Sequence, residues 1–110
     1  MREENNAKTI SKNAVLKKLG NFVRVRNVES RNGSGKAPNQ FEIEFENGRV
    51  FQSYDALCAV KFNNEKSWYF SEYYHDYSKT TSGYLTRYCC RNCTERRKLL
   101  RSGEAITIIE

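Results

Sequence analysis

Four cysteines and a single histidine are the residues best suited to hold a metal ion or to do thiol chemistry. Cys90-Arg91-Asn92-Cys93 is a C-x-x-C, the half-site of many zinc folds. A complete tetrahedral site takes its remaining ligands from a second C-x-x-C or a histidine pair. Here the remaining candidates are Cys89, Cys58 and His75. Cys89 and Cys90 are adjacent, so they point to different sides of any helix that carries them. No metal site is therefore expected, and buried free thiols are. A thioredoxin-type pair would stand at the start of a helix that follows a strand, whereas this C-x-x-C follows a helix-like stretch. With one histidine, flanked by Tyr74 and Asp76, a Cys–His nucleophilic pair would arise only by accident of the fold.

Two other motifs invite chemistry and fail on inspection. Gly33-Ser34-Gly35-Lys36 resembles a phosphate loop, but that loop needs glycine where Ser30 stands and Ser or Thr where Ala37 stands. Glu42, Glu44 and Glu46 line one face of a strand. Closely spaced carboxylates can bind a metal or perturb one another, but such a row is more often the wet face of a sheet. No catalytic residues, cofactor or small-molecule substrate are expected, so the chain is not expected to be an enzyme.

Binding is better supplied. Trp68 to Tyr77 (WYFSEYYHDY) holds six aromatic residues in ten. A small core cannot enclose Tyr69, Tyr73, Tyr74 and Tyr77 together, and exposed tyrosines beside arginines anchor partners or stack bases. We expect Tyr69, Tyr73 and Tyr74 to contact a partner; the alternative is a core-edge cluster with wet hydroxyls. No RNA-recognition signature accompanies them. Arg87, Arg91, Arg96, Arg97, Lys98 and Arg101 make a basic helical region. Arg97 and Arg101 share a helix face with Leu100 nearby. These cations are expected to meet phosphate or acidic side chains, the alternative being a solvated face.

Charge is segregated along the chain. Eight basic residues stand against one acidic between Lys8 and Lys36, three against seven between Phe41 and Asp76, and six against one between Arg87 and Arg101. The net charge is +6. Such a dipolar chain suits docking on a protein that handles nucleic acid; direct binding to DNA or RNA is the alternative. No apolar run approaches the roughly 18 residues of a membrane span, and the N-terminus lacks the apolar stretch of a signal peptide. Reduced thiols in a cytoplasm are the expectation that follows.

The elements that must position these residues follow from period and punctuation. In 110 residues we expect a single domain of α+β class: an antiparallel sheet of five or six strands with helices packed on one face. Residues 1–10 are expected to be disordered. An N-terminal helix spans 11–20, capped by Ser11 and closed by Gly20. Phe22 to Val28 alternates as a half-buried strand with Arg24 and Arg26 outside, and 30–40 is a flexible loop. Phe41 to Glu46 and Val50 to Ser53 form a hairpin about a type I′ turn at Asn47-Gly48. Strands follow at 57–62 and 68–74, with a short helix at 54–60 as the alternative to the first. Thr80 or Thr81 caps a helix carrying Tyr84, Leu85, Tyr88 and Cys89. Asn92 and Glu95 form a capping box opening a second helix that ends at Gly103, and 105–109 closes as a strand.

Two runs, Gly48-Arg49-Val50-Phe51-Gln52-Ser53-Tyr54-Asp55 and Asp76-Tyr77-Ser78-Lys79-Thr80-Thr81-Ser82, carry a resemblance. They resemble a family of small, functionally uncharacterised bacteriophage proteins, with Tyr-Ser-x-Thr-Thr as the most specific element. The likeness covers roughly residues 41–109 and leaves out the cysteine cluster and the basic N-terminal helix. It implies no catalytic residues. It does imply a phage or prophage accessory protein acting inside a bacterial cell. Taken with the small size, the lack of a catalytic set, the exposed tyrosines and the segregated charge, it leads us to expect a binder that docks on and inhibits a nucleic-acid-guided defence effector in the host cytoplasm, as anti-CRISPR proteins do. Direct nucleic-acid binding is the alternative, and a metal- or thiol-dependent enzyme the third reading.

Overall fold

The computed structural model describes residues 6–110. The chain runs β1 (Lys8–Ser11), α1 (Lys12–Leu19), β2 (Phe22–Glu29), β3 (Lys36–Phe45), β4 (Gly48–Ser53), β5 (Ala56–Phe62), β6 (Trp68–Ser71), α2 (Lys79–Cys89), α3 (Cys93–Ser102) and β7 (Ile106–Ile109). The class is α+β. The strands form one seven-stranded sheet in the order β1-β7-β6-β5-β4-β3-β2. Pairing from β2 to β6 is antiparallel, but β7 is parallel to both β1 and β6. The sheet is therefore mixed, not purely antiparallel, and wider than the five or six strands expected.

The extra strand comes from the N-terminus. Lys8 to Ser11 pairs with Ile106 to Ile109, so residues 8–10, expected to be disordered, are ordered by a row of partners nearly a hundred positions away. The expectation for 1–5 lies outside the described residues. Ser11 caps α1 by accepting from the Ala14 N–H at 3.1 Å. The 30–40 segment is a turn only as far as Gly35, because Lys36 to Gln40 extend β3.

Helices cover both faces of the sheet, not one. Cross-strand pairing puts Val50, Val60, Tyr69 and Ile106 in one row and Phe51, Ala59, Phe70 and Thr107 in the next. The first row packs under Val15 and Leu19 of α1, and the second under Leu85 and Cys89 of α2, with Leu99 and Leu100 of α3. The unbroken apolar run Ala56-Leu57-Cys58-Ala59-Val60 reflects this, since a strand covered on both sides has no need to alternate. Val15 and Leu19 are fully buried, each contributing about 1.5–3 kcal/mol.

The β3–β4 turn sits one residue earlier than expected. Phe45 pairs with Gly48, leaving Glu46-Asn47 as the loop, and neither has the positive φ that a type I′ turn requires. Gly48 is used for close approach instead. A Cβ there would lie 2.7 Å from the Lys61 carbonyl oxygen. Residues 56–62 are strand, not helix. The cap of α2 is Ser78, whose side chain accepts from the Thr81 N–H. The capping box at Asn92 and Glu95 forms with both bonds at 2.9 Å. Among the described residues no helix is long and apolar enough to cross a membrane.

Candidate functional site

Residues 72–78 link β6 to α2 and carry the exposed tyrosines. Tyr73 is 62% exposed and Tyr77 43%, while Tyr74 is half-buried. Their rings form a triad: Tyr73 to Tyr74 at 4.8 Å and Tyr74 to Tyr77 at 5.4 Å, both edge-on, and Tyr73 to Tyr77 at 6.2 Å and nearly parallel. Tyr73 and Tyr74 are among the expected contacts, and the structure adds Tyr77 to them. The i,i+4 spacing of Tyr73 and Tyr77 was the available signal.

Tyr69 does not belong to this surface. It is 4% exposed because β6 is covered on both faces and its ring packs edge-on against Phe62. Its hydroxyl donates to Glu65 at 2.6 Å and accepts from Lys18. That is a structural role, and the expectation of a partner contact is corrected.

Arg96 is also corrected, and it explains why the turn is well placed. It is fully buried, and among the described residues no carboxylate is hydrogen-bonded to it. Nε donates to His75 Nδ1 at 3.2 Å, and one terminal nitrogen donates to the His75 carbonyl at 3.0 Å and to Ser82 Oγ at 2.9 Å. The other donates to the Arg91 carbonyl at 2.7 Å and to Thr86 Oγ1 at 3.0 Å. All five guanidinium N–H groups are thus used. One side chain of α3 ties the tyrosine turn, the first half of α2 and the α2–α3 link together from beneath.

Above it, Asp76 accepts from Arg97 at 2.6 Å. Burial pushes the Asp76 carboxyl up, but the Arg97 bond, the field of His75 and the hydrogen bond from Cys93 outweigh it and hold the group below its ordinary value. Burial also lowers His75, against the pull of Asp76. The outer face of α3 continues the surface. Arg97, Lys98 and Arg101 are exposed, and a groove of about 290 Å³ runs between α3 and the sheet, lined by Ala7, Glu72, Arg97, Leu100, Arg101 and Thr107. The expected sharing of one face by Arg97, Leu100 and Arg101 is what builds this groove. Arg87 and Arg91 are exposed around the α2–α3 link, flanking the site without joining it.

Metal and thiol chemistry meet obstacles here. Among the described residues, His75, Asp76 and Cys93 are the group whose ligand atoms all lie within 4.8 Å of one another. His75 Nδ1 already accepts from Arg96, so the neutral ring carries its proton on Nε2 and offers no lone pair on that side. Asp76 is held by Arg97. Burial raises the Cys93 thiol and Asp76 raises it further, the reverse of what a nucleophile or thiolate ligand requires. Cys89 ends α2 and is buried, whereas Cys90 caps the helix in the left-handed conformation and is exposed. Cys58 is buried in a bulge of β5 opposite the Phe51–Gln52 step, where burial pushes its thiol up to about 12.

A second charged feature lies on the sheet face beyond α2. Glu42 is 15% exposed at its side chain and accepts from Tyr88 and Arg26, with Arg49 at 3.7 Å. It forms part of the wall of an open cleft of about 580 Å³. Glu42 and Glu44 are tied into cross-strand ion pairs with Arg26 and Arg24, while Glu46, exposed in the loop, accepts from the Asn21 N–H.

A protein-family profile described as a family of unknown function, DUF8033, matches residues 4–104. No curated protein and no solved structure matches the chain.

Proposed function

Since the chain belongs to DUF8033, a family of unknown function, we propose a function from its own surface: it is a non-catalytic binding protein that docks on another protein through the Tyr73–Tyr77 turn and the outer face of α3. The observation that carries this is the exposed triad of tyrosine rings on a turn pinned from below by Arg96. Rings held in place before contact lose little freedom on binding, and tyrosine and arginine dominate interface energetics. The groove beside them, with Leu100 between Arg97 and Arg101, suits an apolar anchor flanked by acidic side chains. The resemblance to phage accessory proteins supplies the setting. The partner is then a nucleic-acid-guided defence effector of a bacterial host, bound and inhibited in the host cytoplasm.

The test is capture of a purified nucleic-acid-guided effector by the wild-type chain and by Tyr73→Ala with Tyr77→Ala. Wild type is expected to form a stable complex, and the double variant to lose about tenfold or more in affinity with its melting temperature unchanged. Equal affinity for both proteins removes the tyrosine turn from the interface.

The exposed cations Arg87, Arg91 and Lys98 along α2 and α3 favour a second reading, direct contact with nucleic-acid phosphates. Such binding weakens steeply with salt because each neutralised phosphate releases counterions. A gel shift with random DNA and RNA at low salt decides between the two: a salt-sensitive shift supports the second reading, and no shift at micromolar protein eliminates it.

A further inference from the structure

The opposite end of the sheet carries a surface that the tyrosine turn does not use. β2 is the outermost strand and has β3 as its neighbour among the described residues. The strand expected to be half-buried is mostly uncovered. Phe22, Val23 and Val25 are 58%, 49% and 52% exposed, because α1 covers the rows that start further in. An uncovered edge strand is a template for another strand.

The register states what the next strand must look like. On one face Val25 pairs with Ile43, which pairs with Val50 and then Val60, an apolar row that reaches the outer strand and stops. On the other face Arg49 pairs with Glu44, which pairs with Arg24, and Glu42 pairs with Arg26. The sign alternates across β4, β3 and β2, although Arg49 stands beside Lys61 on β5, and it ends on two arginines, each paired inward with its glutamate, whose side chains are 72% and 66% exposed. A strand that continues both rows places acidic residues beside Arg24 and Arg26 and an apolar residue beside Val25.

We propose that the β2 edge is a docking site for an extended acidic–apolar segment of a partner protein, added to the sheet as an eighth strand. Main-chain hydrogen bonds provide affinity, and the alternating side chains provide selectivity. A second copy of this chain is disfavoured. Any antiparallel register that overlaps the middle of β2 and keeps the charged residues of both copies on one face sets Arg24 or Arg26 opposite one of the same two arginines, a like-charge contact. The inner neighbour shows the required pattern, Phe41-Glu42-Ile43-Glu44-Phe45. This site is independent of the tyrosine turn, and its failure leaves that reading in place.

The probe is a fluorescein-labelled peptide copying residues 40–46 of the chain, compared with the same peptide bearing Lys at each Glu. Fluorescence anisotropy is expected to show the acidic peptide binding about tenfold or more tightly than the lysine peptide. Hydrogen exchange is expected to show new protection confined to β2 amides. Arg24→Gln with Arg26→Gln, both on exposed side chains, should abolish the preference. Arg91→Gln with Lys98→Gln removes equal charge elsewhere and should retain it. Equal binding of both peptides, equal loss in both variants, protection at 72–78 instead of β2, or a concentration-dependent dimer that protects β2 without peptide would each overturn the proposal.

Discussion

Replacing Arg96 by methionine removes five hydrogen bonds while keeping most of the buried stem. The two hydroxyl acceptors, Ser82 Oγ and Thr86 Oγ1, can turn to other partners; Thr86 already donates to the Ser82 carbonyl at 2.8 Å. The carbonyls of His75 and Arg91 and the ring nitrogen of His75 are left without the donor they now have. Two buried acceptors at about 1–3 kcal/mol each, with a smaller term for the carbonyl of exposed Arg91, which also accepts from Cys89 Sγ, less the desolvation relieved by removing a buried charge, give a loss of roughly 2–4 kcal/mol. A domain of this length has about 5–15 kcal/mol in all, so a substantial share of its stability rests on one side chain. At roughly 4 °C per kcal/mol the melting temperature falls by about 8–16 °C. Urea unfolding measures the loss, and hydrogen exchange locates it: residues 72–78 and the first half of α2 should lose protection first. Arg96→Lys, which keeps the charge but has three donors, should fall between wild type and Arg96→Met. A loss in Arg96→Met below about 1 kcal/mol, the size of one ordinary hydrogen bond, would refute the claim that this residue holds the turn.

Three further outcomes are expected. Gly83 lies within α2, and a Cβ there would stand 1.8 Å from the Arg31 guanidinium, which packs 5.4 Å from the Tyr84 ring. That guanidinium is the free end of a flexible side chain, so Gly83→Ala should displace it and stabilise the helix by up to about 1 kcal/mol; a fall in melting temperature would show that the Arg31 contact matters more than helix propensity. His75 is held below its ordinary value of 6.5 mainly by burial, so the unfolded chain takes up its proton first. Stability should be full above about pH 6.5 and decline as the pH falls below it, with Asp76 and Glu42, both held low, adding further loss as pH falls through their folded values. His75→Gln should remove the first part of that decline, and a melting temperature unchanged from pH 7 to 5 would count against it. A disulfide reagent near neutral pH should modify exposed Cys90 first and reach Cys58 and Cys89 only on unfolding, as peptide mapping over time can show.

The strands of the central hairpin were legible because Phe41 to Glu46 alternates strictly, but the register was not, since Asn47-Gly48 suggests a turn one residue later than the Glu46-Asn47 loop that forms. The second helix of the C-terminal pair was legible from Asn92 and Glu95, since capping chemistry is local. What sequence hides is set at a distance. Lys8 to Ser11 carries one apolar residue, Ile10, and becomes a strand only because β7 lies beside it. Tyr69 counts as a surface ring until β6 is known to be covered on both sides. Arg96 has the composition of a solvated helix face, and its burial depends on carbonyls at His75 and Arg91 that no spacing announces. The tyrosine turn is the intermediate case: ring density was visible, but the membership of Tyr77 and the loss of Tyr69 both required the fold.

Among the described residues strand β1 has one neighbour, β7, so β1 can find its place only after residues 106–109 have been synthesised. Long-separated pairings of this kind form late and slowly. Until then Ile108 has a partner on one side only, and the flank of β7 that β1 will occupy stands open. A nascent or clipped chain lacking β7 would also be without a docked β1, so damage at one terminus would be felt as loosening at the other.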